Sequence, residues 1–266
     1  MIRAVVNSAK GGRAMNWYKV TQLNQHTWQI TETLWSTIHC YLLTGAERAV
    51  LIDTCSGIGP LAELVAQLTA LPITVVNTHG HMDHTGGNGA FRDIRLHPGD
   101  AWLMANAMGL SDQEFRASLR DLETAGGLPP GFNIDQVKPY RGEASTPLNH
   151  EDILDLGGLT LEVIHSPGHT PGHVCFWQKS GGSLFTGALI YPGPLSFSQP
   201  GQDSQAQLDS LKRLQALKPW ALWPGHSRLS TDYGAAVTAA FEQLHRQGRL
   251  QSNSGLQQVG EVQVEL

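Results

Sequence analysis

A chain of 266 residues, 41% hydrophobic and 15% charged, holds enough apolar side chains for a large core, as one big domain or two small ones. A formal net charge of -5 gives no support to a general nucleic-acid binder, which needs a basic stripe. No apolar run approaches the ~20 residues that span a bilayer, so no membrane span is expected.

The first twenty residues carry Arg3 and Lys10 ahead of a Gly-Gly pair but lack the long apolar stretch of an export signal. Residues 1–15 are expected to form a flexible arm, with Met15 as an alternative start, ahead of a single domain over 16–266. Short strands are expected over 26–31, 37–43 and 48–52, the last breaking at LIDTCSG. Leucines and alanines at helical spacing predict a helix over 60–71, closed by Pro72. A strand over 73–77 (ITVVN) then runs into a polar loop. This order, strand, helix, strand, loop, is the one in which α/β folds set ligands beyond strand ends.

Residues 98–123 predict two helices, followed by the turn AGGLPPG. The segment 98–150 is expected to be a helical insertion, either a lid or substrate wall or a structural excursion that never meets substrate. Strands resume over 159–164, 173–178 and 183–186, then a helix over 205–217, a short strand ALW over 221–223 and an amphipathic helix over 233–246. The alternation in the C-terminal QVGEVQVEL reads as an edge strand or a dimer contact. The three cysteines, Cys40, Cys55 and Cys175, are odd in number and form no CxxC pair. That usage fits free thiols in a reducing cytoplasm.

The loop after residue 77 carries the chemistry. Residues 78–84 read THGHMDH, three imidazoles and a carboxylate side by side. In extended backbone His79 and His81 point to one face and Asp83 shares their parity, while His84 falls where the chain turns. Such a cluster suits two cations, and imidazole nitrogen and carboxylate oxygen at ~2.0–2.2 Å suit Zn²⁺ well, Fe or Mn less exclusively. Two ions are expected, and one is the alternative. His169 in SPGHTPGH and His226 in WPGHS each lie in a Pro-Gly turn after an apolar strand, where loops converge above a sheet. His165 reads as a core or interface residue. His173 is either an orienting neighbour of a ligand or a plain strand-start residue.

HxHxDH after a strand, followed in order by PGHTPGH, FTG and PGH, resembles the metallo-β-lactamase superfamily from about residue 38 to His226. The resemblance implies a four-layer αββα sandwich with the site at the sheet edges. It implies that His79, His81 and His169 hold one metal and Asp83, His84 and His226 the other. Asp53 matches the family's aspartate behind the ligands, and Cys55 stands where glycine is usual. The implied function is hydrolysis of a small acyl substrate, an ester, thioester or lactone, by a zinc-bound hydroxide that Asp83 orients. Tyr191 stands where lactonases of the family place a tyrosine that donates to substrate, and a packing role before Pro192 is the alternative.

One position departs from the pattern. After FTG most hydrolases of the family carry an aspartate that bridges both metals, and this chain has Ala188. Three explanations compete: a natural, tolerated residue, as with the serine some metallo-β-lactamases carry there; a weakened or absent second metal; or an engineered knock-out. Without the bridging carboxylate the metal pair keeps one more net positive charge, which repels the second cation and further acidifies bound water. A β-lactam hydrolase is the nearest rival reading, opposed by the missing export signal. A catalytically degenerate metal- or ligand-binding protein is the rival from another class, supported by Ala188 alone. A redox role is weaker, because flavodiiron relatives place glutamate at His81 and mononuclear iron dioxygenases need the carboxylate absent at Ala188.

Overall fold

In the computed structural model, which describes residues 3–5, 17–129, 131–196, 201–227, 233–250 and 255–266, the first half of the chain forms an eight-stranded sheet whose strands lie in sequence order. Its strands are β1 (Arg3–Val5), β2 (Tyr18–Asn24), β3 (Thr27–Glu32), β4 (Ile38–Thr44), β5 (Ala49–Ile52), β6 (Ile73–Val76), β7 (Asp93–Leu96) and β8 (Thr146–Pro147). β1 to β5 pair antiparallel. From β5 onward the pairing is parallel, with α1 (Leu61–Leu68) making the β5-to-β6 crossover. Of the expected N-terminal arm, Arg3–Val5 lies in this sheet beside β2; residues 1, 2 and 6–15 lie outside the described residues.

The second half builds a five-stranded sheet in the order β14-β12-β11-β10-β9, from β9 (Ile153–Asp155), β10 (Thr160–His165), β11 (Val174–Gln178), β12 (Ser183–Gly187) and β14 (Ala221–Pro224). A three-stranded sheet joins β13 (Pro194–Ser196) to a C-terminal hairpin, β15 (Leu256–Val259) and β16 (Val262–Glu265). In that hairpin β15 is the edge and β16 pairs with both neighbours.

Alternation along the central strands makes the layers. On β4, Cys40 and Leu42 face α1 with Leu61 and Val65, while Tyr41 and Leu43 face the other sheet. On β5, Ala49 and Leu51 go outward to the helix side and Val50 and Ile52 inward. β11 repeats the device, with Cys175 and Trp177 toward α5 (Ser204–Ala216) and α6 (Tyr233–Arg246), and Val174 and Phe176 toward the first sheet. Strands buried on both faces explain the near-continuous apolar runs of the sequence. The layers run helix, sheet, sheet, helix. Tyr41 fastens the two sheets, its ring edge-on to Phe185 at 5.1 Å and its hydroxyl donating to the Pro224 carbonyl at 2.6 Å.

The segment after β7 departs from the expected pair of helices. A short α3 (Ala101–Ala105) gives way at Ala107 and Met108, which take φ of 46° and 59°. The break sets the Met108 sulfur 3.5 Å from the Met82 backbone N–H, at the start of the HxHxDH turn. The second helix, α4 (Asp112–Thr124), is as long as its pattern suggests and opens on a capping box between Ser111 and Glu114. Its buried Phe115 and Leu119 pack with Leu34, Ile58 and Met82. The segment therefore lies against the loop that carries His81 and Asp83.

Candidate metal centre

β5 and β6 are parallel neighbours, so the turns beyond their ends lie side by side. Asp53, just past β5, takes φ of 61°, and its buried carboxylate organises the loop after β6. One oxygen accepts the Thr78 N–H at 2.8 Å. The other accepts the Thr78 hydroxyl at 2.8 Å and lies 2.8 Å from His84 Nδ1. The Nδ1–H of His84 then donates to Asp53, which leaves the lone pair on Nε2.

The backbone next turns into α2 (Met82–Thr85), with His81 at its N-terminal boundary. This corrects the extended-strand parity expected for Asp83: it lies on a helical turn, and helical rotation sends it to the His84 side. Cys55 takes φ of 55°, the left-handed region that explains why glycine is usual there. Contact with Cys40, then burial, pushes the Cys55 thiol well above its ordinary pKa.

Two groups of ligand atoms result. His79, His81 and His169 form one and Asp83, His84 and His226 the other, with the ligand atoms of each within 4.8 Å of one another. His169 Nε2 lies 3.1 Å from His81 Nδ1. In the second group His84 Nε2 lies 3.0 Å from His226 Nε2. An Asp83 oxygen stands 3.5 Å from His84 Nε2 and 3.6 Å from His226 Nε2. Tetrahedral coordination with bonds near 2.05 Å separates donor atoms by about 3.4 Å, so these spacings fit one small cation per group. His79 Nε2 adds a second sign, being buried with no hydrogen-bond partner among the described residues. Such an orphan is costly unless something binds it.

His173 is fully buried and stacks on His79, centroids 5.2 Å apart, and neither of its nitrogens has a partner among the described residues. Tyr191 places its ring edge on His226 at 5.1 Å, and its hydroxyl donates to the Pro194 carbonyl at 2.9 Å. Ala188 is buried beyond the end of β12. His165 stacks on His97 at 4.1 Å and belongs to neither group.

Three supporting residues were not singled out in the sequence. Asp100 is buried and bonded to both ligand loops. Thr78 has its hydroxyl 3.0 Å from His79 Nδ1. His39 donates its backbone N–H to the Gly225 carbonyl at 2.8 Å, and its ring nitrogen Nε2 lies 2.5 Å from the Ser227 carbonyl, beside His226. Only the position of Thr78, next to the motif, carried a signal.

The model of the metallo-beta-lactamase superfamily matches residues 34–226, well over half of the chain. The chain belongs to that superfamily. Acyl-coenzyme A thioesterase MBLAC2 of Bos taurus is 28% identical over 193 residues, 67% of this chain and 68% of that protein. Hydroxyacylglutathione hydrolase GloC of Haemophilus influenzae is 32% identical over 155 residues, 58% of this chain and 66% of that one. Among solved structures, TTHA1623 in a di-iron-bound form aligns with a TM-score of 0.57 at 30% identity, covering 77% of this chain and 94% of that one. The chain is a hydrolase of the metallo-beta-lactamase superfamily, and its histidine clusters make it a metal-binding one. Among the described residues no helix is long and apolar enough to cross a membrane.

The metallo-beta-lactamase site also carries a pH signature in its metal-free form. Burial, reinforced by neighbouring imidazoles, holds His79, His169 and His173 well below the ordinary histidine pKa. Burial brings His81 and His226 to about 4. Burial also pulls His84 down, but the Asp83 and Asp53 carboxylates outweigh it and raise its pKa. Below about pH 6.5 the unfolded chain binds protons at the five lowered positions that the native chain refuses, so stability falls on acidification. Each such proton contributes a slope of about 1.4 kcal/mol per pH unit. His84 runs the other way, its contribution being lost as pH rises through its folded pKa. Urea unfolding of chelator-treated protein is expected to show a lower midpoint at about pH 5 than at about pH 8. An equal or higher midpoint at the acid end would contradict this.

Proposed function

We propose that the chain is a metal-dependent hydrolase of small acyl substrates, thioesters foremost and esters and lactones beside them. The observation that carries the reading is the pair of ligand groups set side by side, each drawing two residues from the HxHxDH turn and one from a Pro-Gly loop of the second half. The acyl class is supported by the relatives, one named as an acyl-coenzyme A thioesterase and one as a hydroxyacylglutathione hydrolase. Five imidazoles and one carboxylate favour zinc, about two ions per chain, with iron or manganese as alternatives. A divalent ion bound there acidifies water and polarises a carbonyl.

The chain's own residues do the rest. Asp83 would hold an ion through one oxygen, and its other oxygen would accept a hydrogen bond from the attacking water and orient it. Asp53 holds His84 in one tautomer. Trp35, 38% exposed, lies 6.1 Å from the Phe115 ring, and Phe115 shares a cluster with Met82; an apolar wall of this kind suits an acyl chain. In this reading residues 98–150 contribute Phe115 and Leu119 behind that wall, within a single domain over 16–266. Tyr191 reaches substrate only if its hydroxyl leaves the Pro194 carbonyl. Three buried free thiols support a cytoplasmic setting.

The test combines elemental analysis of the purified protein with a panel of acyl thioesters, esters, lactones and β-lactams. Chelator-sensitive thioester hydrolysis with about two ions per chain is the expected result. Metal-loaded protein that turns over none of the panel would instead support the degenerate binder, the reading that buried Ala188 favours.

A further inference from the structure

We propose that Asp100 is a positioning residue for one ligand group only: it holds His79, His81 and His169 in register across the two halves of the chain and leaves the Asp83 group to Asp53. The inference rests on the reading that the first group holds a metal ion.

Asp100 ends the tight turn after β7 and is 0% exposed. Its Oδ2 accepts the Gly80 N–H at 2.8 Å and the Thr170 hydroxyl at 2.6 Å. Its Oδ1 accepts the Gly172 N–H at 2.7 Å. Gly80 lies between His79 and His81, Thr170 follows His169, and Gly172 precedes His173. Two of the three bonds therefore end next to a member of the first group, and the third ends beside His173, which stacks on His79. Two of the donors sit on a loop of the other sheet. A buried carboxylate that spends both oxygens this way fixes the distance between the loops, and thereby the angle at which three imidazoles meet.

The glycines at both ends of the clamp support the same assignment. A Cβ on Gly80 would lie 2.8 Å from the Asp100 carbonyl oxygen, and one on Gly172 would lie 2.7 Å from Asp100 Oδ1 and 2.5 Å from its backbone nitrogen. Each loop has given up a side chain so that Asp100 can approach. The second group is braced by other means. His84 leans on Asp53, and His226 Nδ1 faces the Thr37 carbonyl at 3.3 Å while its backbone bridges to Ile38.

Asp100→Asn keeps the shape but turns one acceptor into a donor. The amide then faces either Gly172 N–H or the Gly80 and Thr170 donors, and one loop is released. Residues that orient metal ligands typically change affinity by about 10–100-fold. Zinc titrations against a competing chelator are expected to show one site weakened by that factor in Asp100→Asn, with the other changed less than about threefold. Thr170→Val removes one bond of the three and is expected to weaken the same site by less. It also keeps the inference testable should Asp100→Asn fail to fold. In a His169→Ala background, which disables the first group, Asp100→Asn is expected to leave the remaining site unchanged. Equal weakening of both sites, no weakening of either, or a further loss in the His169→Ala background would overturn the assignment. Wild-type protein that binds no zinc would sink the metal-site reading itself and the inference with it.

Discussion

Asp53→Ala is expected to lower turnover and metal affinity together, each by about 10–100-fold. The variant removes three contacts at once. Thr78 loses the acceptor for its backbone N–H and for its hydroxyl, and His84 Nδ1 loses the partner that fixes its tautomer. The Thr78 N–H is left buried and unpaired, which costs about 1–3 kcal/mol. The damage reaches both ligand groups, because the Thr78 hydroxyl also touches His79 Nδ1. Asp53→Asn is expected to do little better, since an amide nitrogen at the His84 position faces an N–H or forces the wrong tautomer. Zinc affinity and kcat/KM on a common thioester check the result. Wild-type values for both in either variant would show that the ligands hold their own orientation.

Ala188→Asp has the opposite sign in the loaded protein. Ala188 is 1% exposed, and its neighbour Gly187 accepts the Gly225 N–H at 2.7 Å. A Cβ on Gly187 would lie 2.7 Å from the Thr78 hydroxyl, and one on Gly225 would lie 2.8 Å from the His84 ring. A carboxylate introduced here would be buried, next to tightly packed backbone. Without metal it costs about 1–3 kcal/mol of stability as an imperfectly paired buried group. With metal, one more negative charge offsets cation repulsion. The second ion is expected to bind about 10–100-fold more tightly. Turnover is expected to rise by about tenfold or more, since each factor of ten needs only about 1.4 kcal/mol. Denaturation with and without zinc, alongside kinetics, separates the two effects. Unchanged affinity and rate would mean that six ligands suffice and that Ala188 is a tolerated residue.

The central strands were readable because β4, β5 and β11 are buried on both faces and spell apolar runs, while the four-layer arrangement followed from the family resemblance. Shorter or more polar strands were not. β2 is mostly half-exposed and reads YKVTQLN, without the alternation that marks a half-buried strand. α3 was expected to run longer, because nothing in its pattern announces the break at Ala107 and Met108. Within the site, residues in recognisable motifs were visible even where they lie far apart, as His169 and His226 do, and a residue outside any motif was not. Asp100 meets its donors 20, 70 and 72 positions away, and a lone aspartate in HPGD gives no hint of that. The parity argument failed at Asp83 for a local reason, since it assumed extended backbone where a helical turn begins.

Each ligand group takes two members from the first half of the chain and one from the second. Neither half can therefore grip an ion alone, and an ion held by both is a cross-link across the seam of the sandwich. Such a link forms only when the halves have docked, so free metal concentration becomes a dial on their association. At a hundredfold excess over Kd a single site adds about 2.7 kcal/mol to the assembled state. Scavenging the metal would then weaken the joint between two sheets, leaving it to the shared apolar core and the Tyr41 contacts, and a chain nicked between β8 and β9 would hold together more tightly with metal than without.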